Sequence, residues 1–254
     1  MNQEFYHVTV KPTITAQYQH LGAFNSGVND ILFDWTEIKM PKGAGRLIST
    51  AVVVRGNKSV AQRYPMQLYF SKSDDFSLGT INSAPDMDPN NDLLGQLYIR
   101  NSHYGIGLDS MDVAHAFAAK VCIEPVANLS ATGGNSKHRN DQAKHLYVAA
   151  VATHGDFDWS DTVPRVDETD FGPTDGRQYV ITVDAGDPRL HFAPGDVIHT
   201  HQNLAVGTIK SVDSITQITL TNSSVDSDQQ DITNSDYLYN IHPIHLIFTF
   251  AYNS

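Results

Sequence analysis

The chain is poor in cysteine, in basic residues and in long apolar runs, and each shortage excludes something. Cys122 is the single cysteine, so no disulfide can form within the chain and no cysteine-based zinc site can be built. It lies in an apolar, strand-like run, 118–126, where a buried thiol is the ordinary reading. Lys and Arg total 17 against 28 Asp and Glu, a net charge of −11. That deficit argues against nucleic acid, which needs clustered cations to neutralise phosphate, and against an anionic membrane surface. No stretch approaches the roughly 18 apolar residues of a membrane span. Met1-Asn2-Gln3-Glu4 carries neither the basic nor the apolar segment of a secretory signal. Synthesis and folding in a cytosol are expected, and Asn128-Leu129-Ser130 and Asn222-Ser223-Ser224 then read as chance sequons.

Catalytic signatures are missing as well. There is no G-x-S-x-G elbow, no H-E-x-x-H, no P-loop and no G-x-G-x-x-G opening a helix. Paired carboxylates for sugar cleavage depend on the fold and not on spacing. Asp156, Asp158 and Asp161 beside Trp159 are the first place to look for them, although an acidic connection anchored by one tryptophan is the ordinary reading. A non-enzymatic chain without cofactors is the expectation.

What the sequence does hold is alternation. It is 41% hydrophobic, enough to bury a core. The final stretch places Ile244, Leu246, Phe248, Phe250 and Tyr252 at one parity and His245, Ile247, Thr249 and Ala251 at the other, a buried strand. Similar runs recur at 5–10, 13–20, 30–40, 46–55, 66–71, 93–100 and 144–153; 111–119 is the one stretch that reads as a short helix, with an extended segment as its alternative. This rhythm predicts an all-β fold: an antiparallel, jelly-roll-like sandwich. From 155 to 176 the chain turns acidic and irregular. Five short strands follow, one holding Gly207 as a bulge or sharp bend, and they predict a small inserted β-barrel. The expected domains are 1–175 plus 241–254 for the sandwich and 176–240 for the barrel. The last strand returns to the sandwich, and the expected partner is the strand near 146–152.

Ligand candidates are sparse. Asp86, Asp88, Asn90 and Asp92 set oxygens at alternate positions, as a calcium loop begins. The sixth place is Asn91 and not glycine, and the twelfth is Leu97 and not an acid. His199 and His201 share a strand face, with Asp196 a conceivable third ligand; a polar outer face accounts for them too. Neither group amounts to a predicted metal site. Tyr98, Tyr104 and Trp159, in or near loops, are the candidates for an exposed binding surface. The polar segments 72–92 and 131–140 are long enough to make contacts.

The strings Pro194-Gly195-Asp196-Val197-Ile198, Val206-Gly207-Thr208-Ile209-Lys210-Ser211-Val212, Ile215-Thr216-Gln217-Ile218-Thr219-Leu220-Thr221 and Asp236-Tyr237-Leu238-Tyr239 resemble a small β-barrel module of tailed-bacteriophage structural proteins. His145-Leu146-Tyr147-Val148-Ala149-Ala150-Val151 resembles the strand that precedes it. The resemblance implies a virion protein assembled in the host cytoplasm: a capsid decoration (cement) protein, or a neck, tail or baseplate part. Its partners would be the major capsid protein or other virion proteins. It would form a homo-oligomer, commonly a trimer among decoration proteins, and its acidic charge would meet basic patches on a shell. A carbohydrate-binding or host-recognition module is the alternative, since jelly rolls also host lectin sites. No catalytic residue is carried over.

Overall fold

The computed structural model of the chain describes residues 3–20, 29–39, 45–55, 64–72, 74, 77–86, 93–105, 111–117, 122–123, 145–153, 159, 163–167, 179–223 and 232–253. It is all-β, with antiparallel pairing throughout the described strands.

Two layers make a sandwich. The first runs β1 (Gln3–Val10), β15 (Ile244–Asn253), β3 (Gly45–Arg55), β6 (Met111–Phe117), with β7 (Cys122–Ile123) also on β3. The second runs β2 (Ile31–Lys39), β8 (His145–Ala152), β4 (Met66–Ser71), β5 (Leu93–Ile99). Leaving β7 aside, these are the two interleaved four-strand sheets of a jelly roll. One core fills the space between them. Leu47, Val52 and Val54 of β3 and Ile244, Leu246, Phe248 and Phe250 of β15 face Leu68, Phe70, Leu146, Val148 and Ala150. Phe70 and Phe248 meet edge to face across the layers at 5.7 Å, a favoured aromatic geometry.

The alternation read from the last stretch is real: Ile244, Leu246, Phe248 and Phe250 are fully buried. Its partner is not the expected one. β15 pairs with β1 and β3, while β8 pairs with β2 and β4 in the facing layer. The two strands meet across the core through side chains. A period of two reports that one face is buried; it carries no information on which backbone supplies the hydrogen bonds.

Two local readings also change. Residues 13–20 are not a strand: the segment ends in a short helix, α1 (Ala16–His20), whose Gln19 amide is spent on tertiary contacts. Residues 111–117 are not a helix but β6, where Ala114 and Ala116 are buried and Val113 and His115 exposed. That is a period of two made of small residues, which a helix pattern mimics.

The barrel follows β8. Its sheet runs β14 (Leu238–Asn240), β11 (Val197–Thr200), β12 (Ala205–Val212), β13 (Gln217–Ser223), β10 (Val180–Ala185), β9 (Arg165–Val166). A bridge between Arg165 and Tyr237 brings the two ends together. β9 is a sixth strand beyond the five expected. It is two residues long, beyond the reach of any periodicity argument. Val166, Ile181, Val183, Ile198, Ile209 and Leu220 are among its core residues.

All four connections β1–β2, β3–β4, β5–β6 and β8–β15 leave from one end of the sandwich, as the antiparallel registers require. The barrel is therefore held at that end. The segment 77–86 folds back instead of projecting. Leu78 is buried with Ile31, Ala149 and Val151 on the outside of the second layer, and its backbone N–H donates to Asp34 Oδ1 at 2.9 Å. Ile31 N–H donates to Ser83 O and Asn82 N–H to Ile31 O, at 2.9 and 3.0 Å, so the edge of β2 is bonded at its start. The segment expected at 131–140 lies outside the described residues.

Gly207 is where the barrel sequence is least replaceable. The pairing of β12 with β13 shifts just beyond it, its φ is +153°, and a Cβ there would stand 2.0 Å from Asn222 O. Gly207→Ala should cost about 2 kcal/mol or more, read as a lowered urea midpoint with an unchanged slope.

Candidate functional site: the joint between sandwich and barrel

The polar chemistry of this chain collects where the barrel meets the sandwich. β3 ends at Arg55, at the barrel end of the first layer. The turn Ala193-Pro194-Gly195-Asp196 opens β11 from the other side, with Gly195 at φ +90°. Gly195 N–H donates to Ile209 O and Ile209 N–H to Asp196 O, both at 2.8 Å, so the turn is pinned to β12. The Asp196 carboxylate then has two duties. One oxygen accepts from Ala193 N–H at 2.8 Å. The other accepts from Arg55 Nη1 at 2.7 Å, with the two side chains 4% and 17% exposed. The pair crosses from barrel to sandwich in a nearly water-free setting.

His245, next to the start of β15, shares this environment. Burial lowers its pKa first, and the positive charges of Lys11 and Arg55 add to that. Asp196 opposes them, His242 adds a small push downwards, and the result is about 4. Its Nε2 is enclosed and makes no hydrogen bond within the protein. His242 is engaged elsewhere, its Nδ1 lying 3.1 Å from Pro12 O.

A second set of contacts runs through α1. The buried Gln19 amide donates to Ile14 O at 2.9 Å and to Asn240 O at 2.8 Å, tying the helix to β14. His20 Nδ1 lies 2.9 Å from the Tyr239 hydroxyl. The His20 ring sits 4.8 Å from that of His201 and 5.1 Å from Tyr237. Burial, and then the neighbouring His201, lower the pKa of His20. His201 Nδ1 is 3.3 Å from Asp236 Oδ1.

Against this geometry the sequence candidates sort plainly. Trp159 is 2% exposed. It stacks on Tyr64 at 5.4 Å and its indole N–H donates to Arg55 O at 3.2 Å. Tyr104 is 6% exposed and its hydroxyl donates to Tyr64 O at 2.6 Å. Neither is the exposed aromatic expected of a loop residue; both are core, because their flat faces are worth more packed than wet. Tyr98 is exposed at 39%, with the Arg100 guanidinium 5.5 Å over its ring.

The metal candidates do not converge either. His199 Nδ1 lies 3.2 Å from Asn203 Oδ1, His201 turns to Asp236, and Asp196 is committed to Arg55. Asp86 is exposed, with its N–H donating to Leu78 O; Asp88, Asn90 and Asp92 lie outside the described residues, as do Asp156, Asp158 and Asp161. Among the described residues, no group of three or more His, Cys, Asp or Glu is placed to hold a metal ion. No helix of the described residues is long and apolar enough to cross a membrane.

Sequence reading missed Arg55, Gln19 and His20, which carry the joint with Asp196. The one available signal was the Pro-Gly-Asp turn, where Asp is the residue that caps backbone N–H groups; its ion-pair partner stands 141 residues away. A cleft of about 230 Å³, counted to its open mouth, lies between Gln19, Arg55, Trp159, His191, Tyr239 and Asn240. Its enclosed part is about 10 Å³, the room of about one water molecule. The arrangement fastens two modules. No protein-family model matches this chain, and no curated protein matches it either.

Two outcomes test the joint. Removing one member of a buried ion pair strands the other, a loss of about 3–5 kcal/mol. Asp196→Ala should therefore lower stability by about 3 kcal/mol in chemical denaturation. Asp184→Ala, which breaks the solvent-exposed pair with Arg165, should hardly move it. The second outcome concerns pH. His245 binds its proton more weakly folded, near 4, than unfolded, near 6.5. Between those values the unfolded chain holds the extra proton, so this contribution is complete above pH 6.5 and is lost as pH falls towards 4. The wild-type melting temperature should fall more steeply across that window than that of His245→Gln.

Proposed function

We propose that this chain is a non-enzymatic structural protein of a tailed-phage virion. Its place would be capsid decoration or another head–tail component, acting as a homo-oligomer against the major capsid protein or its neighbours. The observation that carries the reading is architectural. The sandwich has jelly-roll strand order, an arrangement used by viral capsid domains, and a barrel is inserted in its last connection. The step from fold to role is by analogy. It is supported by the way the joint is built: an enclosed ion pair, a buried glutamine amide and tilted ring contacts of His20 hold the barrel to the sandwich end, as suits a body that bears contacts. The barrel residues that resemble phage modules point the same way.

The recognition alternative draws less support. Of its three aromatic candidates, Trp159 and Tyr104 are used in the core, and Tyr98 already has a guanidinium on its ring. Quantitative mass spectrometry of purified particles tests the proposal. Hundreds of copies per particle should be found for a head decoration, or six to twelve for a neck, tail or baseplate part; absence from particles would overturn it.

A further inference from the structure

Sheet edges expose unpaired N–H and C=O groups, and stable proteins cover them or break their regularity. Most edges here are managed. The edge of β2 is bonded at its first residue, Ile31, by residues 82–83, and it carries the charges of Asp34, Glu37 and Lys39. The edge of β6 is bridged at Tyr104–Ala114, with Gly105 N–H donating to Val113 O at 3.1 Å. The barrel closes on itself through Arg165 and Tyr237. The edge strand β5 pairs with β4 through a register shift at Phe70–Ser71.

β1 has none of these devices beyond one charged residue, Glu4. Its register with β15 runs unbroken from Gln3↔Asn253 to Val10↔Leu246, so it is regular along its whole length. Among the described residues it bonds only to β15. It contains no Pro and no Lys. Glu4, Phe5, Tyr6, His7 and Thr9 are all exposed, with Phe5 at 60% and Tyr6 at 38%. Phe5 pairs with Ala251 on the outer side and Tyr6 with the buried Phe250 on the inner side, so one aromatic stands exposed on each side of the strand. On the second layer, Leu78 covers the part of the outer face formed by Ile31, Ala149 and Val151. On the first layer, the outward row is Phe5, His7 and Thr9 beside Ala251, Thr249 and Ile247, then Arg46, Ser49 and Ala51. That row has no carboxylate.

We propose that two copies of this chain join through β1, the two edge strands running antiparallel about a two-fold axis so that one layer continues into the other. An antiparallel edge is self-complementary: a two-fold axis normal to the sheet satisfies both strands with one contact and leaves neither edge open. Charge selects this place on the molecule. Two chains of net charge −11 repel over most of their surfaces, and β1 brings one carboxylate, Glu4, to the contact while the adjoining outer row brings none. The aromatics Phe5 and Tyr6 would be covered against cross-strand neighbours, the pairings that stabilise sheets most. The inference goes beyond the virion reading and does not depend on it, because it concerns the purified chain.

Sedimentation of the purified protein should show a dimer, or an even multiple of it. The double variant Phe5→Lys, His7→Lys places lysines on exposed outer positions, and any two-fold pairing of this segment sets them against one another. Its dissociation constant should rise at least tenfold while the far-UV spectrum stays unchanged. Tyr98→Lys, on the edge strand of the other layer, should leave the dimer intact. A monomeric wild type at about 100 µM, a trimer, a double variant that still dimerises, or a dimer lost with Tyr98→Lys would each overturn the proposal. Hydrogen exchange on the wild type gives a reading that needs no variant. The peptide over residues 3–10 should gain protection with concentration; equal exchange at low and high concentration would also overturn it.

Discussion

The structure depends on the placement of one strand. β15 lies inside its layer, hydrogen-bonded on both sides to β1 and β3, and its inward side chains reach the middle of the sandwich core. Everything between β8 and β15 must therefore leave and re-enter at the same end of the sandwich, or the last strand cannot reach its slot. The barrel is the content of that excursion. This explains why its first and last strands, β9 and β14, are brought next to each other and close the sheet.

An inserted module that returns its chain to a fixed point must also be held there. Two connections would leave the barrel free to rock. The joint removes that freedom with Arg55–Asp196, the Gln19 amide, and the rings of His20, His201 and Tyr237. Taking a charge pair out of water is costly, and such a pair contributes direction more than net stability. Here the direction is the orientation of one module on another. His245 belongs to the same surroundings: burial, with the charges of Lys11 and Arg55, lowers its pKa to about 4, so it adds no third positive charge at neutral pH.

The exterior follows a related division. Residues 77–86 pack over part of the second layer and bond to the start of β2 at Ile31. Among the described residues, β1 pairs with β15 alone.

Much of the fold was legible in the residues. The buried alternation of β15, the sandwich strands, the barrel and the bend at Gly207 follow from side-chain periodicity and from glycine chemistry, which act over a few residues and leave a mark there. What was misread depended on distance. α1 exists because Gln19 has carbonyls to reach on Ile14 and Asn240. β6 alternates through alanines that look as helical as they do extended. Trp159 and Tyr104 sit in connections by sequence and in the core by contact. The partner of β15 was assigned to the wrong layer because a strand's pattern records the face it buries and not the edge it shares. The sequence by itself determined that the chain is all-β, acidic and built of two modules. Tertiary structure alone decided the pairing of the last strand, the Arg55–Asp196 joint and the open edge of β1, because each of these is a contact between residues far apart in the chain.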